Sequence, residues 1–380
     1  MAVRFPSTRP ISTCASAVVV VLLCACSMQQ VRTSEALAVM SSVAYSPDGK
    51  SIAAARGRDN GVFIYDASTL KRVKVLLGKD ESLSSNNYYA EALAYSRDGA
   101  LLATSGIDDS FILWDAKTGQ ESLRIPQLKG AQDVAFSPTS DLLATAGPGK
   151  DVILWEVGKG KPAAVLKGHS AAVTTVTFSP DGKLLASGGE DGMVILWSVD
   201  AARQVSTLGP LPRPVRSLSF SRDARMLATC DGKIRQWTCD GEIKLWVLGM
   251  DSAPATLSEP VDIPSKVEVS THVLQVMNAL ALLMGRLPID PHETRWGPAI
   301  FSPDGKHLAV KRGHISLSGD YEIVVLDVPS RKVVAHILCQ CFGMAFSPDG
   351  TRLATAGHPA RGGPVQQWDV NTGKEIRLFH

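Results

Sequence analysis

His169, Ser187 and Asp191 are the three residue types of a hydrolytic triad: an imidazole base, a hydroxyl nucleophile and an orienting carboxylate. Such a site also needs an oxyanion hole and a strained nucleophile turn, and Ser187 lies in no Gly-x-Ser-x-Gly sequence. Other chemistries leave fewer traces. There is no Walker loop, no dinucleotide fingerprint opening a helix and no His-Glu-x-x-His, since His292-Glu293 stands alone. Asp108-Asp109 and Glu190-Asp191 are acidic turn positions with too few oxygens for calcium. The loop Gly357-His358-Pro359-Ala360-Arg361-Gly362-Gly363 has glycines that would admit a ligand, but it reads first as a lengthened turn. Cys230, Cys239, Cys339 and Cys341 lack the paired spacing of a zinc site. Cys339 and Cys341, two apart in extended chain, have poor disulfide geometry, and Cys230 and Cys239 sit asymmetrically about Asp231-Gly232. All four are expected as buried or semi-buried thiols. No catalytic residue, metal or cofactor is assigned.

The chain that must position these residues has 380 of them, 45% hydrophobic and 20% charged, with 32 Gly and 22 Pro. That composition supports a large core and excludes disorder, collagen and a polytopic membrane protein. Lys+Arg total 39 and Asp+Glu 37, a formal charge of +2 with no basic stripe, so nucleic acid is not an expected partner.

Residues 1–25 read as a signal peptide. Arg4 and Arg9 precede the apolar run Ala15–Leu23, which is too short to span a bilayer, and the first acid is Glu35. Leu23-Cys24-Ala25-Cys26-Ser27 resembles a bacterial lipobox, which implies cleavage after Ala25 and acylation of Cys26. Several acyl chains give stable anchoring. Ser27 rather than Asp, by the habit of that class, favours the outer membrane facing the periplasm. The alternative is an ordinary signal and a soluble periplasmic or secreted protein. Cleavage removes Arg4 and Arg9 and no acid, leaving 37 charges of each sign (39 − 2 against 37). Residues 26–40 are then a lipid-anchored tether or an N-terminal strand, and 41–380 the folded body.

A repeat of about forty residues organises that body. The clearest copy runs Leu166-Lys-Gly-His169, Val173–Phe178, Ser179-Pro180-Asp181-Gly182, Leu184–Asp191 and Val194-Ile-Leu-Trp197. Its aromatic residue before the turn recurs at Tyr45, Tyr95, Phe136, Phe220, Phe301 and Phe346. Period-two alternation predicts strands, four to a copy. Ser-Pro-Asp-Gly fits a type I turn, with Pro fixing φ and Gly accepting the left-handed exit. Third strands are expected to end at Tyr65-Asp66, Trp114-Asp115, Trp155-Glu156, Trp197-Ser198, Trp237-Thr238, Leu326-Asp327 and Trp368-Asp369. Residues 240–245 read as the fifth copy's outer strand. Residues 250–297, rich in Pro, break the pattern and read as an irregular insertion, with a degenerate eighth copy as the alternative. Either Glu375–Phe379 or Val31–Val39 is expected to complete the last copy.

These repeats resemble the WD40 family over residues 41–249 and 297–380. The resemblance implies an all-β propeller of seven blades, or eight if 250–297 hides one. It also recasts the triad: the matching positions in that family form a structural network, here His169, Ser187 and Asp191 with Trp197. Indole donates, hydroxyl and neutral imidazole each donate and accept, and the chain ends on carboxylate. The second copy keeps Thr104, Asp108 and Trp114, and the third keeps Thr145 and Trp155 with Gly149 in place of Asp.

What remains is recognition. Loops expected at one rim supply Asn86, Asn87, Tyr88, Tyr89, Asp109, Lys150, Glu190 and Arg361 as a candidate interaction surface. The function expected is a non-catalytic, envelope-tethered scaffold for protein or peptide partners. Its rivals are a propeller enzyme with its site in the channel and a sensor or regulatory fragment of a larger protein. The first strands read mainly Val, Ala, Leu and Phe, which speaks against the channel enzyme.

Overall fold

The computed structural model describes residues 40–56, 61–77, 90–106, 110–126, 132–232, 234–235, 238–239, 243–248, 255–256, 295–313, 321–330, 332–339, 341–357 and 365–376. The signal segment, Cys26 and Val31–Val39 lie outside the described residues. Regular structure among the described residues is strand, and none of it is a helix long and apolar enough to cross a membrane.

The strands group into seven antiparallel meanders. Blade 1 is β1 (Met40–Tyr45), β2 (Ser51–Arg56), β3 (Gly61–Asp66) and β4 (Arg72–Leu77). Blade 2 is β5 (Ala90–Tyr95), β6 (Leu101–Gly106), β7 (Ser110–Asp115) and β8 (Glu121–Pro126). Blade 3 is β9 (Asp133–Phe136), β10 (Leu142–Ala146), β11 (Asp151–Glu156) and β12 (Lys161–Lys167). Blade 4 is β13 (Val173–Phe178), β14 (Leu184–Gly189), β15 (Val194–Ser198) and β16 (Arg203–Leu208).

Blade 5 departs from expectation. After β17 (Val215–Phe220) and β18 (Met226–Asp231), a small hairpin of β19 (Ile234–Arg235) and β20 (Thr238–Cys239) intervenes. The blade's third strand is β21 (Ile243–Val247) and its fourth β22 (Ala255–Thr256). Residues 243–245 are therefore not in an outer strand, and Trp246, not Trp237, carries the third-strand indole; Trp237 lies outside the described residues. The reason is spacing. Ile243-Lys244-Leu245-Trp246 repeats the pattern of Val194–Trp197, and the hairpin stretches the hydroxyl-to-indole separation from 10 residues in blade 4 to 17. The fourth strand also falls within the stretch read as an insertion. Blade 6 begins soon after with β23 (Arg295–Phe301), then β24 (His307–Gly313), β25 (Tyr321–Asp327) and β26 (Lys332–Cys339). Residues 257–294 lie outside the described residues.

Blade 7 has three strands, β27 (Cys341–Phe346), β28 (Arg352–Gly357) and β29 (Val365–Asp369). Where a strand over Glu375–Phe379 is expected, a single bridge joins Glu375 to Trp368; residues 377–380 lie outside the described residues. Cys339 and Cys341 are a further correction, because they are bonded to each other rather than free. They end one blade and begin the next, and their Cα atoms stand 5.5 Å apart, within the span of a disulfide. Cys230 is a buried thiol outside any disulfide, as expected, and its Sγ–H donates to the Asp231 carbonyl at 3.6 Å.

Blade packs on blade mainly through apolar side chains. The core divides into seven clusters, and each is shared by two neighbours. A single blade has no other way to cover its faces, which is why its strands alternate so little in burial: β15 reads buried at four of five positions. The cluster of Val43, Ile52 and Phe63 with Ala354, Ala356 and Val365 joins blade 1 to blade 7 and closes the ring.

The turns bear out the type I reading. In blade 4 the Ser179 hydroxyl donates to Asp181 at 2.6 Å, Leu184 N–H donates to Ser179 Oγ at 2.9 Å, and Gly182 takes a φ of 70°. Five other blades repeat the Ser–Asp contact, at Ser46, Ser96, Ser221, Ser302 and Ser347. Ala224 replaces the glycine in blade 5 and adopts the left-handed conformation nonetheless, at φ 56°.

Outer strands are blunted by bulges. Val73, Val205 and Val334, all exposed, are the extra residues where β4, β16 and β26 slip past their partners. A bulge twists an edge strand away from further pairing.

Candidate functional site

Blade 4 assembles the whole expected network. Trp197 Nε1–H donates to Ser187 Oγ at 2.8 Å, which leaves the hydroxyl proton for His169 Nε2, also at 2.8 Å. His169 Nδ1–H then donates to both oxygens of Asp191 at 3.1 Å. The sequence of donors sets the imidazole as the neutral Nδ1–H tautomer. Asp191 also accepts from the backbone N–H of Ser170 (2.8 Å) and Met193 (3.0 Å). Burial works to raise its pKa, but these donors outweigh it and the carboxyl is held below its usual range. Connectivity is that of a triad, yet Ser187 is 0% exposed and its oxygen is already taken by an indole. A nucleophile sealed in a core cannot reach a substrate.

The inner half of this network recurs as a rule of satisfaction. Indole-to-threonine bonds of 2.9–3.0 Å join Trp114 to Thr104, Trp155 to Thr145, Trp246 to Thr229 and Trp368 to Thr355. Blades 1 and 6 carry Tyr65 and Leu326 in place of the indole, and at the register position of the second-strand hydroxyl they carry Ala54 and Val310. Removing both partners avoids an orphaned buried hydroxyl. Asp108 lies outside the described residues.

First strands of all seven blades line one axial cavity of about 620 Å³. It is more polar than the first-strand sequences indicate, since Gln132, Asp133, Thr174, Arg216 and Lys311 line it. Asp133 ties blade 3 to blade 4: its carboxylate accepts Val134 N–H, Thr175 Oγ1–H and Val176 N–H, each at 2.9 Å. The residue as a whole is half-buried, but the carboxylate is enclosed between the blades, and burial pushes its pKa from 3.8 up to about 6 against the pull of those three donors. Thr174 Oγ1 donates across the next junction, to the carbonyls of Gly188 (3.0 Å) and Val215.

Two opposing pH effects follow. The turn carboxyls of Asp48, Asp98, Asp181, Asp223 and Asp349 are held below 3.8, chiefly by their Ser neighbours, so their stabilisation is present above pH 3.8 and is lost as pH falls through their folded values. Asp133 has the reverse sign. Between pH 3.8 and about 6 the folded state keeps a proton that the unfolded state releases, so its contribution is full below that window and declines as pH rises through it. Urea midpoints measured from pH 2 to pH 7 should therefore rise steeply up to about pH 4 and flatten or fall towards pH 6. In Asp133→Ala the decline above pH 4 should vanish while the acid limb persists; an unchanged profile would contradict the assignment.

Of the residues expected at the interaction rim, the described ones are Lys150 and Glu190, both exposed. Lys150 lies in the turn between β10 and β11, and Glu190 follows β14 and faces Arg216, its Oε1 3.8 Å from Nη2. Asn86, Asn87, Tyr88, Tyr89, Asp109 and Arg361 lie outside the described residues. Asp133, Arg216 and Lys311 are absent from the sequence-based set. Their signal was a charged residue at the start of a first strand or the end of a second, where most copies carry a small or apolar one. Among the described residues, no three His, Cys, Asp or Glu side chains gather as a metal site.

This architecture defines an all-β, seven-bladed propeller with a sealed structural network and a polar axial channel. The family model "WD domain, G-beta repeat" matches residues 29–66, 82–115, 160–198 and 203–246, so those four stretches are WD40 repeats. Among solved structures, a chain of "Crystal Structure of Mitotic Checkpoint Complex" is similar in fold, with a TM-score of 0.64 at 17% identity. The match covers 87% of this chain and 86% of that one.

Proposed function

We propose that this propeller is a non-catalytic scaffold that docks protein or peptide partners on the channel rim while a lipid on Cys26 tethers it to the bacterial envelope, in the outer membrane facing the periplasm. WD40 propellers are typical protein-interaction scaffolds, and the burial of Ser187 carries the non-catalytic reading. The one set of residues wired for nucleophilic chemistry has its hydroxyl at 0% exposure and spends its hydrogen bonds inside the blade. A rigid ring with a polar mouth is suited to presenting fixed donors and acceptors to a chain segment. Tethering rests on Leu23-Cys24-Ala25-Cys26 and the preceding apolar run.

The test is crosslinking in membranes followed by mass spectrometry, with wild type and Cys26→Ser. Protein neighbours are expected in both, and labelled palmitate should enter wild type alone. Incorporation that persists in Cys26→Ser would refute the lipid site. Absence of any protein neighbour, together with turnover of a small substrate, would favour the channel enzyme.

A further inference from the structure

Arg216 occupies the bulge of β17, between the pairs Val215–Asp231 and Ser217–Cys230. Bulges re-aim side chains, and this one lines the channel. Its Nε–H donates to the Gly232 carbonyl at 3.2 Å, which orients the guanidinium plane. Neither Nη group makes a hydrogen bond among the described residues. Glu190 is the acid in reach, and at 3.8 Å it is too distant for a hydrogen bond and 45% exposed in its side chain.

The adjacent blade adds a second cation. Lys311 lies in β24 at the register position where the other blades carry Ala55, Ser105, Ala146, Gly188, Cys230 and Ala356. It lines the same channel, is 7% exposed, and its ammonium stands 4.0 Å over the Tyr321 ring. Asp133 is the remaining charged residue of the described lining, and its oxygens already accept three hydrogen bonds. The positive charge of the described lining is therefore carried by Arg216 and Lys311, on the neighbouring blades 5 and 6.

We propose that this mouth is a carboxylate receptor, in which an Asp or Glu side chain or a terminal carboxylate of a docked peptide takes the Arg216 fork, displaces Glu190 and feels Lys311 as a second charge. A planar guanidinium held on one edge offers its other edge to a carboxylate in two parallel bonds. The inference rests on the peptide-docking reading above and names the chemistry of its partner.

The experiment is an array of random decapeptides with free C-termini, probed with the whole protein and with Arg216→Gln, Lys311→Met and Glu190→Gln, each first shown by thermal melting to be folded. Wild type should select Asp- and Glu-bearing sequences. Arg216→Gln should bind the best of them about tenfold to hundredfold more weakly, the loss of charge-assisted bonds. Glu190→Gln should bind them more tightly, because a competing carboxylate is gone, and a merely structural role would not produce that gain. Should Arg216→Gln not fold, the Glu190→Gln gain and loss of binding with added salt decide the matter. Peptide binding that shows no acidic preference and survives C-terminal amidation, or binding unchanged in Arg216→Gln or Glu190→Gln, would overturn the receptor and leave the scaffold standing. No peptide binding at all would overturn the receptor, while the crosslinking above decides the scaffold. Citrate that raises the melting temperature while no peptide binds would assign the cations to a small carboxylate and overturn the peptide.

Discussion

Replacing Trp197 by Ala lowers the stability of the propeller by about 3–5 kcal/mol, the cost of deleting a large aromatic side chain from a packed core. Trp197 is 2% exposed and lies in the cluster that joins blade 3 to blade 4 with Val173, Leu185 and Ile195. Its loss opens a cavity and strips Ser187 Oγ of its donor in the same step. Trp197→Phe refills part of the volume and separates the two effects, leaving mainly the unsatisfied hydroxyl, worth about 1–3 kcal/mol. Adding Ser187→Ala to Trp197→Phe should recover little of the loss, because it removes the hydroxyl but leaves the buried His169 Nε2 without the proton donor that Ser187 gives it. Urea unfolding of the three variants measures each contribution. A Trp197→Ala cost below about 1 kcal/mol would show that the blade does not depend on this column.

The network was legible in the sequence because its members sit at fixed distances from a turn that the sequence advertises. Ser179–Gly182 marks the start of β14, and His169, Ser187, Asp191 and Trp197 follow from register. The same logic failed in blade 5. There a hairpin at Ile234–Cys239 sits between the second and third strands, so counting from the turn points to Trp237, whereas the apolar pattern of Ile243–Trp246 gives the strand. Local spacing competed with strand pairing, and pairing won because Trp246 can reach Thr229. The channel cations were illegible for another reason. Arg216 points into the channel through a bulge, and a bulge is a property of two paired strands that neither strand's sequence states. The Cys339–Cys341 bond was illegible because its two residues belong to different blades, and the approach of two blades is not stated by local spacing.

Replacing Gly343 by Val should loosen the ring at the junction between blade 7 and blade 1, the last and first blades in chain order. A Cβ at Gly343 would stand 3.0 Å from Ser42 Cα, 3.1 Å from Val43 N and 3.2 Å from Ser42 C. All three are backbone atoms of β1, so no side chain can rotate out of the way, and β1 or β27 must shift. The same seam holds the joint core of Val43, Phe63 and Ala354, and a polar clamp in which Gln367 Nε2 donates to Tyr45 Oη at 3.0 Å and to the Ala67 carbonyl at 2.8 Å. Those bonds act on groups whose placement depends on the close approach of β27 to β1, so they weaken with it. Overpacking of this kind costs about 1–3 kcal/mol. The more telling effect is where the loss appears. Neighbouring blades stabilise one another through shared clusters, so opening one junction exposes both flanking blades before it affects blades 3 and 4. Native-state hydrogen exchange should show protection falling first in β1, β2, β27 and β28, with β13 and β14 changed least. Protection lost uniformly around the ring would mean that the seam has no special standing and that the seven junctions unfold as one.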